Sequence, residues 1–366
     1  MNVLFVNSIG RKKFGGGEKW MIAAARGLAD RGHGVFVAGQ SGSRLLDEAD
    51  RAGLARKAWN VCIDYSPVQV WRMAQFFRSH QIDLLVCNLN KDVRTAGLAS
   101  RLIGGPVIIA RHGVQLCGQR LRHKWTLQHF ADGVLTNTAS IKGAYDGYGW
   151  FSPDFVHVVY NGVEDKSGLR SQDFTMLYPG KKIIFSAGRL SEQKGFSFLI
   201  EAALVLKQRR QDLVFVVAGE GRLKEGLVRR IRQAGLEDDF HLIGYQRSID
   251  PLLKGCDLFV LSSLFEGMPN VVMEAMACGK AVVATDVNGV RELMRDGETG
   301  RIVPPEDPAA LADAIDALVS DPSAMDSYGR AGLDRVRTQF TVTGMIDNLE
   351  SYFQQKIDKR KGVHAQ

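Results

Sequence analysis

The sequence lacks the features that mark several common protein classes. No run of about 18 apolar residues occurs along its 366 residues, so no transmembrane helix is predicted. The opening segment MNVLFVNSIG has neither a basic region nor a small-residue cleavage site, so we expect no secretory signal. The five cysteines are scattered and form no CxxC pair, which argues against a disulfide framework and a zinc site. Together these absences predict a cytoplasmic protein.

Three familiar ligand-binding signatures are also missing. No Asp-x-Asp pair occurs, so the sequence gives no indication of a metal held by carboxylates, and we expect no metal. The lysine-bearing phosphate loop is absent, and the glycines at 15–17 do not form the G-x-G-x-x-G pattern of a dinucleotide site. We therefore expect no bound cofactor.

Positive charge is distributed unevenly along the chain. The net charge is +7, and residues 1–165 carry 20 Lys and Arg against 13 Asp and Glu, which accounts for all of it. Such an asymmetry bears on partners rather than on the fold. A nucleic-acid binder would need a basic stripe with aromatic residues or a known module. The excess is modest and no such module occurs, so we expect no nucleic-acid partner.

Continuously apolar runs alternate with helical patterns in two series. Strands of a parallel sheet are buried on both faces, so this alternation predicts an α/β fold with two doubly wound parallel sheets. The length also suits two domains. The first series of predicted strands is Val3–Asn7, Gly34–Gly39, Leu84–Asn88, Val107–Arg111, Gly133–Asn137 and His157–Gly162, and the second is Lys182–Gly188, Leu213–Gly219, Phe240–Gly244, Asp257–Ser263 and Ala281–Asp286.

A polar segment, 163–180, interrupts the alternation and ends in the turn signal Pro179-Gly180, so we place the domain linker there. This predicts an amino-terminal domain over 1–165 and a carboxyl-terminal domain over 180–340. Residues 341–366 are expected to form a helix, about Val342–Lys356, that returns to the first domain and ends in a frayed basic tail. Because open parallel sheets bind ligands beyond the carboxyl ends of their strands, we expect a site in a cleft between the domains.

Two loops that follow predicted strands are candidate anion sites. FGGGE (Phe14–Glu18) opens a helix, where free backbone N–H groups favour an anion, although a simple tight turn explains its glycines equally well. AGRLSEQKG (Ala187–Gly195) brings Arg189 and Lys194 to the mouth of the second domain. Two cations placed there could neutralise a diphosphate, since Arg binds phosphate bidentately and Lys adds a point charge.

A third segment, Phe265–Asp286, contains Glu266 and Glu274, eight positions apart. Pro269 pre-sets the backbone of a first helical turn, so the helix is predicted to start at Pro269 or Asn270. Glu266 then lies in the loop and Glu274 about one turn into the helix. Carboxylates near a helix N-terminus are electrostatically favoured, and they accept hydrogen bonds from the vicinal hydroxyls of a ribose or hexose. Complementing the helix dipole would by itself explain two lone glutamates.

The complete string EGMPNVVMEAMACGK resembles the E-x7-E signature of the retaining glycosyltransferases of family 4. Six further stretches are similar to segments of that family in the same order: FGGGE, RHG (Arg111–Gly113), VVYNGVE (Val158–Glu164), AGRLSEQKG, AGEG with LIGY (218–221 and 242–245) and DVNGVRELMRDGETGRIVPPED (Asp286–Asp307). The resemblance covers nearly the whole chain. It implies the GT-B fold, in which two Rossmann-like domains face each other across a cleft, and a metal-independent hexosyltransferase with a nucleotide-diphosphate sugar as donor.

The resemblance also implies a role for each matching residue. Glu274 binds the ribose hydroxyls of the nucleotide, and Glu266 holds the transferred sugar. Arg189 and Lys194 neutralise the leaving diphosphate. In the glycine loop, the backbone of Gly16 contacts phosphate. His112 lies near the reacting face of the sugar. The segment before Glu274 contacts sugar and phosphate through its backbone, and it comprises Gly267, Met268, Pro269, Asn270 and Val271.

Catalysis here means stabilising the charges that develop as the anomeric bond breaks, an oxocarbenium-like sugar and a negative diphosphate. Retention can arise by double displacement with Glu266 as nucleophile or by front-face attack, which the resemblance favours. We predict that Arg189→Ala or Lys194→Ala lowers turnover far more than folding stability. Another GT-B enzyme, such as a sugar-nucleotide epimerase or a phosphorylase, is the alternative.

The acceptor is expected to meet the basic first half of the chain. RKK (Arg11–Lys13) lies beside the glycine loop, and QRLRHKW (Gln119–Trp125) mixes three basic residues with Leu121 and Trp125. These segments suit an anionic glycan or lipid-linked acceptor, or the anionic inner surface of a membrane that carries it. An ordinary solvated helix face explains the second segment equally well. The resemblance further implies a role in cell-envelope polysaccharide or lipopolysaccharide synthesis.

Overall fold

The computed structural model describes residues 1–11, 14–60, 64–114, 118–166 and 168–364, without the side chains of 363 and 364. The chain divides into two compact units. Unit 1 comprises Met1–Gly162 and Val342–Gln366, and unit 2 comprises Val163–Thr341. Lys12, Lys13, Cys62 and Cys117, which the sequence analysis considered, lie outside the described residues.

Unit 1 is built on a seven-stranded parallel sheet in the order β3-β2-β1-β4-β5-β6-β7. Apolar clusters cover both faces of this sheet, as its continuously apolar strands require. The strands are β1 (Asn2–Asn7), β2 (Gly34–Gly39), β3 (Ala55–Ala58), β4 (Leu84–Cys87), β5 (Val107–His112), β6 (Gly133–Thr136) and β7 (Val156–Val158), and the helices are α1 (Gly16–Asp30), α2 (Arg44–Arg51), α3 (Pro67–Ser79), α4 (Asn90–Ile103), α5 (Leu121–Phe130), α6 (Ala139–Asp146) and α14 (Val342–His364).

Unit 2 has a six-stranded parallel sheet in the order β10-β9-β8-β11-β12-β13, with one apolar cluster on each face. A 3₁₀ turn at Glu192–Lys194 follows the first of its strands. The strands are β8 (Lys182–Ala187), β9 (Leu213–Ala218), β10 (Phe240–Leu242), β11 (Leu258–Leu261), β12 (Ala281–Thr285) and β13 (Arg301–Val303), and the helices are α7 (Phe196–Lys207), α8 (Lys224–Gln233), α9 (Asp250–Gly255), α10 (Asn270–Ala277), α11 (Val290–Leu293), α12 (Pro308–Ser320) and α13 (Pro322–Gln339).

The predicted doubly wound α/β fold is confirmed, and each predicted strand is present, β2 with the predicted ends and the others with shifted ends. Two strands, β3 and β13, were not predicted. Each occupies an outer position of its sheet. All four residues of β3 are exposed, and β13 is only three residues long. An edge strand does not need a continuous apolar run, so the signal used for the inner strands is missing.

The chain passes between the units at two positions, and both differ from the sequence-based boundaries. Val163 pairs with Thr341 in a β-bridge within unit 2, and the segment predicted as linker places Phe174 in the core of that unit. A polar segment that contains a single buried apolar side chain has no pattern that distinguishes it from a linker. The last helix, α14, packs on α1 of unit 1 and continues to His364, where a frayed tail was expected. Arg360 pairs with Asp132 at 2.9 Å, which fixes this last stretch.

Candidate active site

Unit 2 reverses its strand order between the adjacent strands β8 and β11. The loops that follow these two strands leave the sheet side by side, and such a switch point is where open parallel sheets bind ligands. The loop after β8 carries Arg189 and Lys194, and the loop after β11 carries Glu266. Two segments that the sequence singled out separately therefore come together, although 72 residues separate Lys194 from Glu266.

Close contacts fasten these two loops to each other. The backbone N–H of Leu264 donates to the carbonyl oxygen of Gln193 at 2.8 Å, and Ser262 Oγ donates to the carbonyl oxygen of Lys194 at 2.9 Å. Gly195 has φ of +59°, and a Cβ at this position would lie 2.0 Å from the Ser262 carbonyl oxygen. Only glycine combines that backbone conformation with so close an approach. The loop geometry thus depends on Gly195.

Lys194 and Glu266 form an ion pair at the switch point. Lys194 Nζ donates to Glu266 Oε1, and Ser263 Oγ donates to the same oxygen at 2.7 Å. The side chain of Lys194 is 17% exposed and that of Glu266 is 8% exposed. The methylenes of Lys194 pack over Gly188, where a Cβ would lie 3.1 Å from Lys194 Cε. Two donors therefore orient the Glu266 carboxylate, and Lys194 is not a free cation.

Arg189 differs from Lys194 both in burial and in ion pairing. Its side chain is exposed, and within the part of the chain that the structure describes no carboxylate pairs with it. An uncompensated guanidinium at the carboxyl end of a strand can bind an anionic ligand without first breaking an ion pair. Sequence reasoning treated the two cations alike, whereas the structure leaves only Arg189 available.

The helix α10 begins at Asn270 with Pro269 as its N-cap, so the predicted helix start is confirmed. Its amino end follows Glu266 directly, and the first-turn N–H groups of a helix have no intrahelical acceptors. Met268 is buried in the core of unit 2, so only its backbone is placed to meet a ligand. This arrangement supplies an anion- and hydroxyl-binding edge beside the Lys194–Glu266 pair.

Glu274, on α10, has a neighbour that the sequence did not indicate. Lys166 forms an ion pair with Asp250 and interacts electrostatically with Glu274. Burial opposes the charge of Lys166, but Glu274 and Asp250 more than offset it, so its pKa is raised. No pattern in the polar segment around Lys166 distinguishes it from a solvated lysine. Only the packing of that segment on unit 2 brings it to Glu274.

In unit 1, His112 lies at the carboxyl end of β5 and is fully buried. Its Nδ1 is 2.8 Å from the hydroxyl of Tyr145, and its Nε2 has no hydrogen-bond partner among the described residues. Burial, assisted by the charge of Arg111, lowers the pKa of His112 to about 3, so the ring is neutral near pH 7. A neutral imidazole offers a donor or an acceptor rather than a positive charge.

The glycine loop of unit 1 lies at the equivalent switch point, between β1 and β4. Glu18, in the first turn of α1, accepts from the Gly15 N–H at 2.8 Å and from Asn7 Nδ2 at 2.7 Å. Gly16 is exposed at the amino end of this helix. The backbone of Gly16 is thus presented at a helix N-terminus, where anions are favoured.

Comparison with known proteins identifies the family. The model named Glycosyltransferase Family 4 matches residues 14–167, and the model named Glycosyl transferases group 1 matches residues 171–335. The lipopolysaccharide core biosynthesis glycosyltransferase LpsE of Rhizobium meliloti is 32% identical over 92% of this chain and 94% of its own. The chain belongs to the family 4 glycosyltransferases.

The fold of this family 4 member is similar to that of a solved structure. The structure of Anabaena Alr3699/HepE in complex with UDP has a TM-score of 0.83 at 22% identity, covering 97% of this chain and 100% of that one. The GT-B fold that the resemblance implied is therefore confirmed for both sheets. No described helix of this glycosyltransferase is both long and apolar enough to cross a membrane.

Another relative is matched over a shorter stretch. The N-acetylgalactosamine-N,N'-diacetylbacillosaminyl-diphospho-undecaprenol 4-alpha-N-acetylgalactosaminyltransferase of Campylobacter jejuni is 31% identical over 51% of this chain. The glycosyltransferase described here spans about half of that relative, 50% of its length. The relatives are transferases of sugar groups, which does not favour the epimerase alternative.

Proposed function

We propose that this family 4 member is a retaining glycosyltransferase that moves a sugar from a nucleotide-diphosphate sugar to a glycan or lipid-linked acceptor. The observation that carries the proposal is the switch point of unit 2, where an unpaired Arg189 lies beside the Lys194–Glu266 pair and the amino end of α10. One edge then offers groups for each part of a sugar nucleotide: cation and N–H groups for the diphosphate, and oriented carboxylates for hydroxyls. LpsE and the Campylobacter transferase support the reaction class by similarity.

The proposed roles follow from the contacts. Arg189 neutralises the leaving diphosphate because its charge has no partner among the described residues. Glu266 accepts hydrogen bonds from the transferred sugar with its orientation fixed by Lys194 and Ser263. Glu274 accepts from the nucleotide ribose, and Lys166 is its electrostatic partner in the protein. Gly267–Val271 present backbone N–H groups at every residue except Pro269, and Gly16 and His112 are the candidate residues of unit 1.

The mechanism proposed is front-face substitution with retention and without a metal. Glu266 Oε1 already accepts from Lys194 Nζ and Ser263 Oγ, and a carboxylate held by two donors is a weaker nucleophile than a free one. This arrangement favours a binding role for Glu266 over double displacement. UDP is a suitable first nucleotide to test because Anabaena HepE was solved with it.

A donor screen tests the reaction. The protein is incubated with a panel of sugar nucleotides with and without EDTA, and release of the nucleotide diphosphate is measured. We expect turnover of one donor class, insensitive to EDTA, and loss of most of that turnover in Arg189→Ala. Arg209→Ala is the matched control, since Arg209 is an exposed arginine paired with Asp313 at 2.6 Å. Full activity of a folded Arg189→Ala protein, or no turnover of any sugar nucleotide, contradicts the proposal.

We further propose that unit 1 meets an anionic, membrane-associated acceptor on the inner face of the cytoplasmic membrane, as part of envelope polysaccharide or lipopolysaccharide assembly. Unit 1 carries 24 Lys and Arg against 14 Asp and Glu, whereas unit 2 carries 23 against 26. On α5, Leu121 and Trp125 are four residues apart and 83% and 48% exposed, with Arg122 and Lys124 beside them. Exposed apolar side chains flanked by cations suit an anionic lipid surface.

Vesicle co-sedimentation tests this second part. We expect binding to vesicles with anionic lipid, weaker binding to neutral vesicles, and a loss in Leu121→Ser with Trp125→Ser. Leu177→Ser is the control, because Leu177 is a 62% exposed apolar residue of unit 2. Sedimentation that does not depend on anionic lipid removes the membrane contact and leaves the reaction class untouched.

A further inference from the structure

Arg111 of unit 1 is a buried arginine without a hydrogen-bond acceptor among the described residues. It is 6% exposed at the carboxyl end of β5, and its guanidinium carbon lies 4.0 Å from the ring centroid of Trp20. Among the residues that the structure describes, none accepts a hydrogen bond from it or forms an ion pair with it. A guanidinium has five N–H donors, and a largely buried one without described acceptors leaves these donors available to a ligand. This availability suggests a function for the site rather than a role in stability.

Glu18 is the acidic residue that acts on Arg111, and it does not satisfy these donors. Burial lowers the pKa of Arg111 to about 10, and Glu18 opposes that shift through its charge. Its oxygens accept from elsewhere: Oε1 from Asn7 Nδ2 and Oε2 from the Gly15 N–H. The guanidinium therefore stays charged near pH 7 and still has no acceptor in the described part of the chain.

Two glycines lie against the guanidinium, where a side chain would contact it. A Cβ on Gly17 would lie 3.5 Å from Arg111 Nη1, and a Cβ on Gly113 would lie 2.7 Å from the same atom. Gly17 is the second residue of α1, so Nη1 lies at the positive end of a 15-residue helix. Successive residues of a strand point to opposite faces, so Arg111 points to the α1 side while His112 points to Tyr145 of α6.

We propose that Arg111 and the amino end of α1 bind a phosphate-type oxyanion carried by a substrate. A planar fork of N–H donors matches two oxygens of a phosphate, and the helix terminus adds N–H groups and positive potential from a second direction. The anion supplies the acceptors that Arg111 lacks. That the molecule bearing this phosphate is a substrate rests on the proposed function. The anion site itself does not depend on the proposed function. The phosphate can belong to the sugar-nucleotide donor or to the acceptor.

The test titrates inorganic phosphate into the full chain at constant ionic strength, with chloride as the replaced anion. All five tryptophans belong to unit 1, and Trp20 lies against the Arg111 guanidinium, so tryptophan fluorescence reports unit 1 and includes a probe at this site. We expect a saturable change in the native protein. Arg111→Gln is expected to weaken phosphate binding at least about tenfold, and Arg111→Lys less, since it keeps the charge without the fork. Arg101→Gln, at an arginine paired with Asp132, is the control and keeps the native affinity.

A second variant covers the case in which Arg111→Gln does not fold. Gly17→Ala keeps the arginine, improves helix propensity and places a methyl group 3.5 Å from Nη1, so it blocks the approach of the anion. We expect folded protein with phosphate binding weakened as in Arg111→Gln. Native-like phosphate binding by both variants, or no saturable change in the native protein at tens of millimolar phosphate, overturns the proposal.

Saturating UDP distinguishes the two carriers. If the donor supplies the phosphate, UDP abolishes the response to inorganic phosphate and Arg111→Gln weakens UDP binding. If the acceptor supplies it, the response persists with UDP bound and the affinity for UDP is unchanged. Both results support the anion site. A protein that shows Arg111-dependent phosphate binding but turns over no sugar nucleotide would contradict the proposed function alone.

Discussion

Replacing Lys194 by Met separates its structural role from its role in catalysis. Met keeps the unbranched side chain that packs over Gly188, but it removes the charge paired with Glu266. Glu266 is then left as a carboxylate that is 8% exposed, with Ser263 Oγ at 2.7 Å as its remaining side-chain donor in the described structure. The perturbation is an uncompensated charge in a nearly buried position.

The expected cost follows from that burial. Removing one partner of a fully buried ion pair costs about 3–5 kcal/mol. Lys194 is 17% exposed and Ser263 still donates to Glu266, so we expect Lys194→Met to lower the free energy of unfolding of unit 2 by about 2–3 kcal/mol. Glu266→Gln in the same chain removes the stranded charge. The double variant should therefore be more stable than the sum of the single changes predicts, by about 2 kcal/mol.

The assay uses the distribution of tryptophan. Urea unfolding is followed by far-UV circular dichroism, which reports both units, and by tryptophan fluorescence, which reports unit 1 because all five tryptophans lie there. Lys194→Met should displace the dichroism transition assigned to unit 2. The control is Lys207→Met, since Lys207 is 36% exposed in its pair with Asp239, and Asp239 keeps Lys181 as a second partner, so we expect a loss of about 0–1 kcal/mol.

Two results would refute the reasoning. One is a Lys194→Met protein as stable as Lys207→Met. The other is a cycle with Glu266→Gln that shows no coupling, which would mean that the ion pair does not hold Glu266. The expectation also revises the sequence-based prediction, which assigned both Arg189→Ala and Lys194→Ala a loss of turnover with little loss of stability. Only Arg189 retains that prediction.

Three further predictions address other positions. Arg189→Ala should change the free energy of unfolding by less than about 0.5 kcal/mol while abolishing most donor turnover, because its side chain is exposed and without a described partner; a large stability loss in urea unfolding would contradict this. Gly195→Ala should disrupt unit 2 because its Cβ would lie 2.0 Å from the Ser262 carbonyl oxygen. The control Gly180→Ala, with φ of +71° and open space around it, should cost only about 1–2 kcal/mol. Equal losses of stability in dichroism-monitored unfolding would contradict the close contact at Gly195. The free energy of unfolding of unit 1 should fall by about 2 kcal/mol between pH 6.5 and pH 5, because His112 stays neutral when folded, with its pKa lowered to about 3, but protonates near 6.5 when unfolded. In fluorescence-monitored unfolding, His112→Gln should show a shallower dependence of this free energy on pH. An unchanged slope would contradict the assignment.

The inner architecture could be predicted from the sequence because it is written locally. Strands buried on both faces need uninterrupted apolar runs, and a helix start needs residues such as Pro269, so both signals are contained in a few neighbouring residues. The edge strands β3 and β13 lack such runs and were missed. Phe174 was assigned to a linker because burial of one aromatic side chain leaves no periodic pattern.

The candidate site could be predicted only as a set of residues. The segments around Arg189, Lys194, Glu266 and Glu274 were identified by their positions after strands and by their resemblance to a family. The sequence could not show which charges neutralise each other, since Lys194 and Glu266 are 72 residues apart. Nor did it indicate Lys166, which interacts with Glu274 only because the polar segment 163–180 packs in unit 2.

By itself, the sequence determined that the chain forms two parallel α/β sheets and carries a family 4 signature, because hydrophobic period and motif order are properties of the chain alone. The tertiary structure decided how the charged groups are used. Adjacent strands at each switch point bring distant loops together, so Lys194 is paired, whereas Arg189 has no partner in the described structure. Burial decided the rest, because it left His112 neutral and left Arg111 charged with no described acceptor.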